Sequence, residues 1–427
     1  MNDIKNTINS KNLFFASGML LAFVIPFNQK VVSLLIGVFI IMGAILAIRS
    51  KTQIIWKYKI PYLVLISFYL IHLLSVLKGI SDPHFTDLEV KLSFIIFPLL
   101  FIFLPIVRSN IDKNIYKAFL VGVILVFFIC LVNAFRHSIE LDNWQFNPNV
   151  IGGHNYFLYS LFSTFTHPSY NTMFSSLAFA FLLYVGAKNN FKKLWLYYLI
   201  GGIIVINVYL LSSRAGTYAF FAMLYFSALS FYLWRRNLLK FILFLIAITI
   251  LFFCFQKINP RVVHFSKNVE KQVLIAKSEG LSKASVADVN VRWAYWKAGL
   301  SMASSNWATG VGVGNVFQKR LNKYEEFGLE EGVDKKHNFH NQYMETLVGT
   351  GVIGLSLLLS IFFIALWRGI KYKDYLLVSF SIIVGINLLF ESMLMMSSGS
   401  IFTAFFYCLL ISKSEISIVE HKKKLPK

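Results

Sequence analysis

A short polar run, His337-Asn338-Phe339-His340-Asn341-Gln342-Tyr343-Met344-Glu345, leads into Leu347-Val348-Gly349-Thr350-Gly351-Val352-Ile353-Gly354 and a long apolar stretch. Histidine is the side chain that takes a proton near neutral pH. Lipid cannot satisfy polar groups, so ionisable side chains at such a boundary usually have a task. If the run is helical, His337 and His340 project from one face at i and i+3. Two arginines stand apart from the other basic residues. Arg214 lies in Ser212-Ser213-Arg214-Ala215-Gly216, and Arg292 in Asn290-Val291-Arg292-Trp293-Ala294-Tyr295-Trp296. Arginine is permanently charged and grips phosphate oxygens bidentately. Arginine for a diphosphate and histidine for a hydroxyl together suit transfer from a lipid-diphosphate donor. The leaving group is then the diphosphate, and the hydroxyl nucleophile needs a general base.

Each of these residues also has a structural reading. Arg214 fits a snorkelling arginine at a helix end, and Arg292 fits a surface arginine stacked on an indole. A histidine near a helix start is commonly structural. Glu345 and Glu391 lie inside or at the ends of apolar stretches, where a carboxylate costs about 2.5–3.5 kcal/mol at the membrane centre. One of them is expected to orient His340 or to pair with an arginine; the plainer reading is a glutamate reaching water. A zinc site needs a third ligand, so no metal is expected.

The elements that must position these groups are apolar helices. The 427 residues are 57% hydrophobic, with 43 Phe and only 14% charged residues, against about 25% charged in a soluble chain. Twelve apolar runs fall near 12–27, 31–49, 60–78, 92–107, 115–135, 170–187, 194–211, 216–234, 238–256, 343–367, 375–391 and 397–412. Several are short for a span of about 20 residues, but the class is clear: an all-α polytopic membrane protein of about twelve transmembrane helices.

The net charge of +21 suggests nucleic acid until it is sorted by loop. With loops assigned alternately inside and outside from an inside N-terminus, the inside holds 23 of the 41 basic residues and five of the 20 acidic ones, so 18 of the 21 net charges lie on one side. This is the positive-inside pattern, and it puts both termini in the cytoplasm. No inside loop is long enough for a nucleotide-binding module, so neither nucleic acid nor nucleotide is an expected partner. Cys130, Cys254 and Cys408 all fall in apolar runs and offer neither a disulfide framework nor metal spacing. The basic start and first apolar run read as a retained helix, since Pro26-Phe27-Asn28-Gln29-Lys30 is no small-residue cleavage site.

The resulting organisation is 1–256 with nine spans and an outer loop near 136–170, a large outer loop at 257–339, three spans at 340–412, and a basic tail at 413–427. Within the large loop, Val262, Val263, Val269, Val273 and Leu274 suggest an amphipathic surface helix. Asp288 is placed to cap a second helix carrying Arg292, Trp293 and Trp296. Gly310-Val311-Gly312-Val313-Gly314-Asn315 lacks the G-x-G-x-x-G spacing and any βαβ context. It reads as a tight turn that lets backbone approach backbone. The loop near 136–170, with His154 and His167-Pro168-Ser169-Tyr170, is polar and aromatic enough to contact sugar faces, though a packed loop is the simpler reading.

His340-Asn341, nine residues, then Gly351-Val352-Ile353-Gly354 resembles the signature of the O-antigen ligase family. The order is similar too: a short outer loop with Arg214, a large late outer loop with Arg292, then the histidine. The likeness is strongest over roughly 205–360. It implies a GT-C-like, metal-independent glycosyltransferase of lipopolysaccharide biosynthesis in the bacterial inner membrane, needing no cofactor and facing the periplasm. It implies an undecaprenyl-diphosphate-linked glycan as donor, moved en bloc to a lipid A–core hydroxyl. By the same resemblance His340 is the base, Arg214 and Arg292 bind the donor diphosphate, and His337, Asn341, Glu345 and Glu391 are possible supports. The signature marks the wider ligase and polymerase superfamily, so a polysaccharide polymerase and a protein O-oligosaccharyltransferase stay open. A transporter or flippase is the reading from another class. It would place broken helices and charges at mid-membrane in related halves, whereas here the ionisable residues crowd the outer face.

Overall fold

A computed structural model describes residues 2–50, 56–78, 85–104, 112–140, 155–189, 192–259, 263 and 286–424. These form helices and turns, with no strand among the described residues. The helices are α1 (Asn2–Val24), α2 (Gln29–Ser50), α3 (Trp56–Lys78), α4 (Phe85–Lys91), α5 (Ser93–Phe103), α6 (Asp112–Glu140), α7 (Tyr159–Phe162), α8 (Pro168–Lys188), α9 (Leu194–Leu211), α10 (Arg214–Arg235), α11 (Leu238–Ile258), α12 (Val286–Ser304), α13 (Val313–Glu326), α14 (Glu330–Asp334), α15 (Gln342–Lys371), α16 (Tyr375–Phe390) and α17 (Ser397–Lys424). Among the described residues, eight helices are long and apolar enough to cross a membrane: α2, α3, α6, α8, α9, α10, α11 and α15. The chain is a polytopic helical membrane protein. The other four apolar runs of the sequence fall on α1, α5, α16 and α17.

Burial sorts the helices into an inner and an outer set. In α17 every residue from Ser400 to Ile411 is buried, as expected of a helix apolar on all sides. Phe402, Phe405 and Phe406 carry the packing outward, with Phe406 4.7 Å from Phe119 and Phe405 5.6 Å from Phe39 between ring centroids. By contrast α11 exposes Leu239, Leu243, Ile246, Ile250 and Phe253 along its length, the pattern of a lipid-facing helix. Past residue 412 the sequence suggests a basic tail, yet α17 runs on to Lys424. Lys59 Nζ lies 3.0 Å from buried Glu415, an ion pair that draws this turn into the bundle.

The large loop has its own small core of Tyr295, Ala298, Met302, Val311, Val316, Tyr324, Phe339 and Val348. In α13 the buried residues Val316, Arg320 and Tyr324 recur every four positions, so one face packs inward while Lys319 and Lys323 stay outside it. The helix carrying Arg292 starts at Val286, two residues before Asp288, so Asp288 sits within its first turn rather than at its cap. The amphipathic surface helix expected from Val262 to Leu274 lies outside the described residues, apart from Val263, and so does His154.

Two glycine-rich strips fasten this loop to the bundle. The Val311 and Gly312 amides donate to the Val348 and Gly349 carbonyls at 2.8 and 3.2 Å, and the Val352 amide donates to Trp307 O at 2.8 Å. Gly310 and Gly351 both have φ near +68°, which favours glycine. A Cβ on Gly351 would run into the Ala308–Thr309 backbone, and one on Gly310 into Gly349. The close backbone approach read from the sequence thus has its partner in the second half of the ligase-like signature. Ser75 on α3 completes the joint, donating to Gly349 O at 2.7 Å and accepting from the Val313 amide at 3.0 Å.

Candidate active site

The chain from His337 to Asn341 is extended and bent, not helical; α15 begins at Gln342. Asn341 caps it, its side chain accepting from the Met344 amide at 3.1 Å. His340 sits in the left-handed region at φ 48°, unusual for a residue with a Cβ. Its amide is held by Asn338 Oδ1 at 2.8 Å. The other half of the clamp is the break between α16 and α17. There the Asn341 amide donates to Ser392 Oγ at 3.2 Å, and the Leu394 amide donates to Gln342 Oε1 at 2.8 Å. These bonds fix His340 against Glu391.

Four ionisable side chains then form a chain. His337 Nδ1 lies 3.1 Å from His340 Nε2, and His340 Nδ1 lies 3.3 Å from Glu391 Oε2. Arg292 donates from Nη2 to Glu391 Oε1 at 3.0 Å and from Nη1 to the Phe390 carbonyl at 2.6 Å. The consistent tautomer, inferred from this network, has His340 Nδ1–H on the carboxylate and a lone pair on Nε2. The two histidines meet without helical spacing, because the left-handed His340 folds the chain back. The Tyr295 ring lies 5.9 Å from the His337 ring and 6.3 Å from the His340 ring, nearly parallel to both.

The electrostatics follow from this arrangement. Burial alone pushes Glu391 upward, but the hydrogen bond to His340 and the charge of Arg292 outweigh it, and the carboxyl titrates below its ordinary value. Glu391 is therefore a carboxylate at neutral pH. Burial, with the His340 ring beside it, lowers His337 below the ordinary histidine value, so it is neutral. Burial likewise raises the Tyr295 phenol.

Among the residues singled out in the sequence, the structure brings together His340, His337, Arg292 and Glu391. Glu345 is placed elsewhere: its carboxylate accepts from the Phe339 amide at 2.8 Å and pairs with Arg320 Nη1 at 3.4 Å. It braces the loop from behind and, among the described residues, makes no direct bond to His340. Arg214, half-buried, opens α10 behind the Ser213 cap. Among the described residues no direct bond joins it to His340, Arg292 or Glu391. Its helix start is tied to the same region through Ser213–Ser169 at 3.2 Å and Tyr170–Met393 O at 3.3 Å. His167 caps α8, and its Nε2 lies 3.2 Å from the Tyr159 hydroxyl.

Residues 199–359 match the family model described as O-antigen ligase. That segment is therefore similar to the O-antigen ligase family, in line with the resemblance carried by His340, Asn341, Gly351 and Gly354. No curated protein matches the chain. The family segment spans Arg214, Arg292, His340 and both glycines of the signature, while Glu391 lies beyond it. Sequence reasoning missed Arg320, Gln342 and Ser392. Arg320 stands in Gln318-Lys319-Arg320-Leu321-Asn322-Lys323. Its one distinguishing signal is its place on the apolar face with Val316 and Tyr324. Ser392 follows Glu391 directly, at the apolar break where α16 stops.

Proposed function

We propose that this protein is a glycosyltransferase of the GT-C kind with twelve spans, both termini cytoplasmic, and the site described above facing the periplasm of the bacterial inner membrane. Its donor is a glycan on undecaprenyl diphosphate, and its acceptor is a hydroxyl of lipid A–core. The observation that carries this reading is the shared carboxylate: Glu391 binds His340 Nδ1 with one oxygen and Arg292 with the other. One carboxylate thereby sets the tautomer of a base and the position of a diphosphate-binding cation.

The acceptor hydroxyl attacks the anomeric carbon of the donor sugar. The new C–O bond forms as the bond to the diphosphate oxygen breaks, and the diphosphate leaves with the electron pair. The hydroxyl proton passes to His340 Nε2. Glu391 stabilises the imidazolium that results, as a carboxylate does for an adjacent histidine base. Arg292 retains free N–H groups beyond the two engaged by Glu391 and Phe390. These, with Arg214, meet the charge on the leaving diphosphate. His337 Nδ1–H occupies the Nε2 lone pair until the acceptor hydroxyl replaces it. No nucleotide or nucleic acid takes part, and the chemistry described requires no cofactor.

The test is reconstitution with undecaprenyl-diphosphate oligosaccharide and three competing acceptors: lipid A–core, a second donor molecule, and an acceptor protein. The expected product is glycosylated lipid A–core. A lengthened lipid-linked glycan makes the protein a polymerase instead, and a glycosylated protein makes it an O-oligosaccharyltransferase. Vectorial movement of intact donor without a new bond would mean a flippase and overturn the reading.

A further inference from the structure

Behind the histidine loop, on the far side of Glu345, lies a second polar cleft of about 200 Å³. It is walled by α3, α4, α13 and the first turns of α15, and His72, Asp87, Lys91, Arg320, Gln342 and Glu345 line it. None of His340, Arg292, Glu391 or Arg214 takes part. Two of its cations are buried, Lys91 and Arg320, each 3% exposed. Arg320 spends Nη1 on Glu345, while its buried Nε has no hydrogen-bond partner. A buried donor left unmade costs free energy, so this Nε marks a place where a ligand acceptor fits.

The donor set decides the class of ligand. Lys91 and Arg320 donate and Asp87 and Glu345 accept, while the Gln342 side chain that also lines the cleft is engaged by the Leu394 amide and by Thr346. Two cations offset two carboxylates. A phosphate would meet both carboxylates at close range and be repelled. A sugar hydroxyl is donor and acceptor at once, and neighbouring hydroxyls on one ring suit alternating carboxylates and cations. The volume suits about one ring, and Gln342, two residues from His340, lines the cleft.

We infer that this cleft is a saccharide subsite, holding one neutral sugar residue of a glycan substrate by paired hydrogen bonds to Asp87, Arg320 and Lys91. The inference rests on the transferase reading only for which substrate supplies the sugar. Binding of the sugar itself does not depend on turnover.

The test uses the full chain in lipid nanodiscs and methyl glycosides of hexose, N-acetylhexosamine and heptose as probes, with saturation-transfer NMR and inorganic phosphate as competitor. At least one glycoside should bind, phosphate should not displace it, and Asp87→Asn should weaken it at least tenfold. Arg320→Lys, which keeps the charge beside Glu345 but removes the Nε donor, should weaken the same glycoside. In turnover assays Asp87→Asn should raise KM for one substrate, donor or acceptor, with kcat within about twofold; the substrate affected names the source of the sugar. Glycoside binding in a protein that shows no transfer leaves the subsite standing and sinks the transferase reading. Competition by phosphate, equal binding in wild type and Asp87→Asn, or no binding by any glycoside overturns the subsite.

Discussion

Two glutamates flank the same loop and do opposite work. Glu391 stands at a helix break, 17% exposed at its side chain, and shares its oxygens between His340 and Arg292. Glu345 lies inside the first turn of α15, 6% exposed, and spends its oxygens on a backbone amide and Arg320. The first is partly exposed, and its carboxylate is kept ionised by its partners. The second is closed and holds the loop in place. The comparison teaches that a carboxylate's neighbours, not its distance from a histidine in sequence, decide whether it tunes chemistry or geometry: Glu345 is five residues from His340 and does not touch it, whereas Glu391 is 51 residues away and does.

The largest effect expected from this contrast falls on stability. Glu345→Ala leaves Arg320 buried without its partner and should cost about 3–5 kcal/mol, read as a lower unfolding temperature in nanodiscs. Glu391→Gln should leave that temperature nearly unchanged and lower kcat about 10²-fold, through loss of the histidine tautomer and of the arginine contact. If Glu391→Gln unfolds the protein while Glu345→Ala only slows it, the two roles are reversed. Gly351→Ala should destabilise by about 1–3 kcal/mol, because its left-handed backbone and the Ala308 approach both exclude a side chain; a neutral result would remove the glycine joint from the account. The smallest effect is a pH slope. His337 is neutral in the fold and titrates below its ordinary value. Below about pH 6.5 the unfolded chain therefore binds more protons, and stability drops as pH falls. His337→Gln should flatten that part of the melting-temperature profile; an unchanged slope would assign it to another group.

Much of the fold is legible in the sequence. Among the described residues, eight of the twelve apolar runs fall on helices long and apolar enough to cross a membrane, and the other four fall on α1, α5, α16 and α17, since helices satisfy the backbone in lipid. The match of the glycine strips was half legible: Gly310-Val311-Gly312 announced a close approach, but its partner, forty residues on, is set by tertiary packing. The site was legible as a set of residue types and not as a set of contacts. His340 and Arg292 stood out as polar groups beside apolar helices. Arg320 did not, because lysines surround it and only its burial distinguishes it. His337 and His340 meet by a left-handed residue that no periodicity reveals. The pairing of Glu391 with both His340 and Arg292 needs a helix break that hydropathy shows only as the end of a run.

The proposed base is His340, oriented by Glu391. The most direct measurement is single-turnover transfer from undecaprenyl-diphosphate oligosaccharide to lipid A–core by reconstituted wild-type and His340→Ala protein, with donor affinity measured in parallel. The expected result is a rate lowered about 10³- to 10⁴-fold with donor binding intact. Transfer within tenfold of wild type by a folded His340→Ala protein would contradict it.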